Sequence, residues 1–360
     1  MKKKLALLLV ASMTMATLIG CGAKEEAAAP AAEAPAAEEE AEAEAPAEEE
    51  AAPAEEASDD VITVGFAQVG HASDWRAANT QNYQDVFSAE NGFELTFVDC
   101  DNDNAAQLEA VRSFIEQELD YICVAPIETA GWDTVLQEAQ DAGIPVLVVD
   151  RSVDADPSLY ATQIGCDMVA EGETAGNWLA EYLDGKEAKI LVIEGSVGAS
   201  ATLGRTEGFN NIAAQHSEWE ILVSQSGDFT QAGGQEVMES YIKSYKDFNV
   251  VVCQNDNEAY GAMDAMDAAG ITYGVDGDVI IISYDATHDG LQYTLDGKIT
   301  CNVECNPLQA TFAADVIKKL EAGETVDAVT VVKDEAFVAP GVTSQYAVTM
   351  SDEVLAGRKY

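Results

Sequence analysis

The chain has 360 residues, among them 65 Asp or Glu against 18 Lys or Arg and 3 His, for a formal net charge of −47. So acidic a protein will not hold nucleic acid, whose phosphates call for clustered Lys and Arg, and anionic lipid repels it. Hydrophobic residues make up 48% of it, enough for a sizeable buried core.

In chain order, Met1 to Lys4 carries three lysines, an apolar run follows from Leu5 to Ala11, and Leu18-Ile19-Gly20-Cys21 closes the segment. A charged start, an apolar middle and a small-residue end form a secretion signal over residues 1–20, too short and too interrupted for a membrane span. Leu-Ile-Gly-Cys resembles the bacterial lipobox, so Cys21 is expected to be diacylated and to become the first residue of a lipoprotein. Gly22 to Asp60 is almost entirely Ala, Glu and Pro, with fifteen acidic side chains, one Lys and no aromatic residue. Nothing there can bury a core. With Pro30, Pro35, Pro46 and Pro53 interrupting helix, residues 21–60 read as a disordered, charged tether reaching up to ~100 Å.

From Val61 onward 50 acidic and 14 basic side chains remain, a net charge near −36. Short apolar runs alternate with amphipathic stretches. Val61 to Phe66, Glu94 to Val98, Tyr121 to Ala125, Pro145 to Val149 and Leu159 to Ile164 read as strands, with helices such as Ala105 to Gln117 and Thr134 to Ala142 between them. The pattern then repeats: strands at Lys189 to Glu194, Trp219 to Ser226, Val250 to Gln254 and Val279 to Ser283, helices at Gly204 to His216 and Gly233 to Tyr245. This is the βαβ rhythm of a doubly wound parallel sheet, and its repetition over about 300 residues predicts two sheets in two lobes.

Six cysteines lie in this body, several inside apolar runs, and their spacing gives neither a disulfide framework nor a CxxC motif. With three His in all, a Cys/His zinc site is not expected. Cys301 and Cys305 on one extended strand would stand about 13 Å apart, and all six are read as reduced thiols. No metal or cofactor is expected.

In such sheets ligands sit beyond the carboxyl ends of the strands. Gln68 and His71 to Arg76 follow the first strand, and Asp150-Arg151 ends the fourth. In the second half, Gly195 to Ser200 leads to Arg205, Gly227-Asp228-Phe229 follows a strand, and Asn255-Asp256 and Tyr284-Asp285 end two more. The chain has only five arginines; Arg76, Arg151 and Arg205 fall at strand-to-helix junctions, whereas Arg112 lies within a helix and Arg358 near the C-terminus. Charged forks bracket hydroxyls that both donate and accept, and aromatic faces such as Trp75 and Phe229 stack on the apolar face of a ring. Carboxylates, amides, guanidinium groups and aromatic plates together suit a sugar.

From Val61 on, the chain resembles the periplasmic sugar-binding proteins of ABC transporters of the ribose/galactose type, most closely their galactofuranose-binding branch. The matching stretches are Val64 to Gly70, Trp75 to Ala78, Val111 to Phe114, Asp150 to Ser152, Gly195 to Ser200 with Arg205 and Gly208-Phe209, Ser224 to Thr230, and Glu236 to Ser240. The resemblance implies that Asp150, Arg151, Arg205, Asn255 and Asp285 bond sugar hydroxyls, that Arg76 adds a further fork, and that Trp75 and Phe229 are stacking plates. Glu304 matches a polar contact near the hinge, with Cys305 as the competing position; the role of Tyr284 stays open. It implies type I lobes joined by three crossings: residues 61–164 with about 305–336 in the first, and 165–304 with about 337–360 in the second. It also implies a monomer that closes on its ligand, a membrane permease as partner, and a location outside the cell membrane, held there through Cys21.

An enzyme is the competing class, since paired carboxylates such as Asp150 and Asp285 serve glycoside hydrolysis. Arg151 beside Asp150 favours the ionised form and so disfavours a general acid there. A sugar-responsive repressor would need an N-terminal helix-turn-helix and a basic surface, and neither is present in the sequence. A sensor passing its closed form to a kinase or chemoreceptor would carry the same residues.

Overall fold

The computed structural model describes Val61–Tyr360. The expected signal, Cys21 and the tether lie outside the described residues.

The elements run β1 (Ile62–Gln68), α1 (Asp74–Val86), β2 (Phe93–Asp99), α2 (Asn104–Glu116), β3 (Tyr121–Val124), α3 (Asp133–Ala142), β4 (Val146–Val149), β5 (Thr162–Gly165), α4 (Met168–Leu183), β6 (Ala188–Glu194), α5 (Ser200–Ala213) and β7 (Trp219–Ser226). They continue as α6 (Gln231–Ser244), β8 (Val250–Cys253), α7 (Asp256–Ala269), β9 (Ile280–Asp285), α8 (His288–Leu295), β10 (Cys301–Glu304), α9 (Ala310–Glu321), β11 (Val329–Val331), β12 (Ala336–Val338), β13 (Val348–Thr349) and α10 (Asp352–Ala356). Two sheets result, in the orders β11-β5-β4-β3-β1-β2 and β13-β12-β10-β9-β8-β6-β7. The first is parallel throughout, and in the second β12 runs antiparallel to β10.

The central strands β3, β4 and β8 are buried at every position. That is why they read as unbroken Val/Ile runs: helices cover both faces of such a sheet, leaving no solvent side to alternate toward. Helix starts follow side-chain capping, with Ser73, Asp103, Thr230, Asn255 and Thr287 each accepting from a backbone N–H of the first turn. In the first lobe Phe66, Tyr83, Phe87 and Phe93 form a run of ring contacts. The Leu159 to Ile164 stretch differs from the sequence reading. Asp156 caps a 3-10 turn over Pro157–Leu159, whose ring fixes φ, and extended pairing begins only at Thr162.

The chain passes between the sheets three times: after β5, after β10 and after β11. Gly165 pairs with Val331 in the first sheet and Ala336 with Val303 in the second. Each of these two residues thus falls one position to the other side of the boundary expected from sequence.

Helices α4 and α5 touch through glycines. A Cβ on Gly208 would stand 2.0 Å from the Val169 carbonyl oxygen, and one on Gly172 would stand 2.4 Å from that of Arg205. Only bare backbone fits there, and this close approach brings Glu171 of α4 against Arg205 of α5.

Candidate functional site

A cavity of about 210 Å³ opens between the lobes, lined from both sides. At roughly 30 Å³ per water it has room for about seven waters or one small polyol.

On the first lobe, Asp150 follows β4 with φ 63°, in the left-handed region that costs a non-glycine residue energy and clusters at binding sites. Its N–H bonds the Ile164 carbonyl at 2.7 Å, and Gly165 is bare where a Cβ would meet the Asp150 carbonyl oxygen at 2.5 Å. So held, its carboxylate stands 2.8 Å from Nη2 of Arg76. Arg76 lies over the Trp75 ring, 4.6 Å from its centre, and Trp75 Nε1 donates to the Cys305 carbonyl in the second crossing. Arg151 donates from Nη1 to the Ile127 carbonyl at 3.1 Å. Burial, helped by the positive charge of Arg76, lowers its guanidinium to about 10, so it is charged at neutral pH.

On the second lobe, Arg205 is bound on three sides. Nε donates to Glu171 at 2.7 Å, Nη2 to Asp285 at 3.0 Å and Nη1 to the Gln254 carbonyl. Its plane lies 4.9 Å over the Tyr284 ring, so the fully buried Tyr284 supports Arg205 from beneath and lies outside the cavity wall. Burial opposes the Arg205 charge, but Glu171 and Asp285 outweigh it and hold the guanidinium well above its ordinary range. Burial likewise pushes Glu171 up to about 8 against the pull of Arg205, and raises Asp285. Three further residues here have left-handed backbones: Asp228 at 61°, Phe229 at 57° and Asp285 at 93°. The Phe229 turn is held by its N–H bond to the buried Glu258 carboxyl at 2.9 Å, and burial keeps that carboxyl far above the usual carboxylate range.

The cavity brings together eight of the residues expected from sequence: Trp75, Arg76, Asp150 and Arg151 from one lobe, and Arg205, Phe229, Asn255 and Asp285 from the other. Asn255 spends much of its amide on the protein. Its Oδ1 caps α7 at Glu258 and its Nδ2 donates to the Phe229 carbonyl, leaving one N–H.

Two expected contacts are corrected. Gln68 stands behind Arg76: its Oε1 accepts from Arg76 at 3.1 Å, and its Nε2 donates to Asn79 and Thr80, both at 3.0 Å. Glu304 points to the far side of the hinge, where it accepts from the Glu335 N–H at 2.8 Å and pairs with Arg358 and Tyr360. Successive side chains of an extended segment face opposite ways, so the next residue, Cys305, lines the cavity.

Sequence reasoning missed Glu171 and Glu258, which position Arg205 and Phe229. The signal for Glu171 was available, as a carboxylate beside Gly172 on a helix whose Gly172 and Gly176 share the four-residue spacing of Gly204 and Gly208 on its partner α5.

The lobes also touch at the rim. Thr129 N–H bonds the Gly198 carbonyl at 3.0 Å, Ser152 N–H the Ser200 hydroxyl at 2.9 Å, and Asp74 N–H the Asn257 side chain at 3.2 Å.

Residues 64–325 match the family model described as a periplasmic binding protein domain. The chain is 39% identical over 269 residues to the galactofuranose-binding protein YtfQ of Escherichia coli K12, covering 74% of this chain and 84% of that one. A crystal structure from Mycobacterium smegmatis in complex with β-D-fucofuranose is similar with a TM-score of 0.74 at 43% identity, covering 77% and 91% of the two chains. The periplasmic binding protein component of the arabinose ABC transporter of Shewanella sp. ANA-3, bound to α- and β-L-arabinofuranose, gives 0.74 at 36% identity, covering 77% and 92%.

Proposed function

This chain belongs to the periplasmic binding protein domain family, and on that footing we propose that it captures one monosaccharide between its lobes, galactofuranose or a related furanose, and delivers it to an ABC permease. The observation that carries this reading is the pairing of an acid with a fork on each side of one small cavity. Arg76 with Asp150 faces Arg205 with Asp285. Neighbouring hydroxyls of a sugar give and take hydrogen bonds at once, and each such pair offers both roles to them with charge assistance.

In this reading Arg151 and Asn255 add donors at the cavity wall, and Trp75 and Phe229 cover the apolar ring faces. No bond of the sugar changes, in keeping with relatives that are binding proteins. Sugar contacts from both lobes favour the closed form, and the permease distinguishes closed from open by the spacing of the lobe tips. Lipidation of Cys21 keeps the monomer at the outer face of the membrane. Among the described residues no helix is long and apolar enough to cross a membrane.

Native mass spectrometry and calorimetry with galactofuranose, galactose, ribose, arabinose and xylose test the proposal. One furanose-forming sugar is expected to bind at one per chain; failure of all five overturns the sugar assignment.

A further inference from the structure

Where the lobes join, four ionisable side chains arrive from different parts of the hinge. Cys166 directly follows β5 in the first crossing, Cys305 opens the second, Asp334 lies in the third, and Glu171 stands in the first turn of α4. The sulfur atoms of Cys166 and Cys305 and a carboxylate oxygen of Glu171 all lie within 4.8 Å of one another, and all three residues are buried. Oδ1 of Asp334 is 3.2 Å from the Cys166 sulfur. Arg205 occupies only Oε2 of Glu171; the other oxygen, Oε1, is buried without a partner.

We propose that Cys166, Cys305, Glu171 and Asp334 form a binding site for a thiophilic divalent cation such as Zn²⁺, and that its ligation ties the three crossings together. The donor set is two sulfurs and two carboxylate oxygens, which a tetrahedral zinc ion accepts at ~2.3 Å for S and ~2.0–2.2 Å for O. Ligand atoms then stand roughly 3.5–3.8 Å apart. Asp334 already stands 3.2 Å from the Cys166 sulfur, and the Cys166, Cys305 and Glu171 atoms, within 4.8 Å of one another, draw closer on ligation.

The chemistry of the cluster favours a cation. Two sulfurs and a carboxylate oxygen are buried side by side, and Oε1 of Glu171 lies among buried groups with no partner of its own. A divalent ion replaces the two thiol protons with metal–sulfur bonds and releases both protons to water, while Glu171 and Asp334 bind as carboxylates. Entry is available through a surface groove that Glu171 and Asp334 line together with Lys333, Glu335 and Tyr346. Spacing along the sequence hides this site, because its ligands are 166, 171, 305 and 334 and none is a histidine.

The consequence is mechanical. Rotation of one lobe against the other requires the crossings to shift past each other, so an ion held by all three resists opening.

The test uses the full chain, freed of metal and reduced with a phosphine, titrated with Cd²⁺. One equivalent is expected to produce the ultraviolet thiolate-to-cadmium charge-transfer band, and Zn²⁺ to displace it. The band should vanish in Cys166→Ser/Cys305→Ser, and Glu171→Gln should weaken binding at least tenfold, while Cys21→Ser leaves both unchanged. Small-angle scattering of the sugar-free wild type should show a smaller radius of gyration with Zn²⁺ than without. No band in the wild type overturns the proposal even if the variants do not fold, as does a band that survives the double substitution. Metal binding with no change in dimensions overturns the clamp.

Discussion

The guanidinium of Arg151 lies 5.4 Å from the ring centre of Phe229, and the two residues belong to different lobes. Their contact exists only when the lobes are together, so it contributes to closure itself as well as to the cavity wall. Cation–π contacts that are partly desolvated are worth about 1–2 kcal/mol.

Phe229→Leu keeps an apolar side chain but removes the ring, both for Arg151 and for a stacked sugar. Affinity is expected to fall about tenfold or more, while the melting temperature of the unliganded chain changes little. Isothermal calorimetry beside thermal melting checks this; unchanged affinity would rule out stacking by Phe229.

Arg205→Ala differs from Arg151→Ala in its effect on the unliganded protein. Removing Arg205 strands Glu171 and Asp285, both buried, and breaking a buried ion pair costs about 3–5 kcal/mol. Arg151 is fixed mainly by carbonyl oxygens. The unliganded melting temperature should therefore drop sharply for Arg205→Ala and only slightly for Arg151→Ala, with sugar-induced stabilisation lost in both. Equal melting curves for the two unliganded variants would contradict the structural role given to Arg205.

Gly195→Ala tests the seat of the Phe229 ring. A Cβ there would fall 1.9 Å from the Phe229 ring tip, so the ring must leave its place. Sugar binding should be lost although no ion pair is altered. Gly195→Ala/Phe229→Ala should recover the melting temperature without recovering binding, and recovery of both would remove the ring from the site.

Asp334 gives a pH dependence of known sign. Its carboxyl is raised from 3.8 to about 7, chiefly by burial. Below about pH 4 both states hold the proton. Between about pH 4 and 7 the unfolded chain has lost it and the folded chain has not, so stability falls as pH rises through that window. Self-repulsion of the acidic body acts in the same direction. The diagnostic measurement is therefore the difference between wild type and Asp334→Asn across pH 4–7 without metal, where the variant should show the shallower decline.

Deleting residues 358–360 leaves the buried Glu304 without Arg358 and Tyr360. A loss of about 3 kcal/mol is expected, seen as a melting temperature lower by several degrees. Sugar affinity should be preserved, because Glu304 faces away from the cavity; a large loss of affinity would return Glu304 to the ligand.

The two-lobed α/β fold was legible because buried parallel strands write themselves as Val/Ile runs, such as Val250 to Val252, and because the rhythm occurs twice. The cavity was legible because Asp150 follows a strand, Asp285 ends one and Arg205 lies early in the helix after another, where such sheets hold ligands. Two things were hidden. Whether a strand-end residue faces the ligand or stands behind one that does depends on side-chain direction, which misplaced Gln68 and, by one step of a pleat, Glu304. Glu171 and Glu258 were hidden because their partners, Arg205 and Phe229, are distant in sequence and meet them only through packing.

The three crossings also govern how this protein folds. The first sheet gains its edge strand β11, and the helix α9 that covers it, only from residues 310–331, after the chain has passed through most of the second lobe. A nascent chain that has emerged only as far as β5 holds five strands with an unpaired edge, exposed to wrong partners. Pairings between residues so far apart close large loops and form slowly. The first lobe comes first among the described residues, and it cannot be completed until residues 310–331 are present.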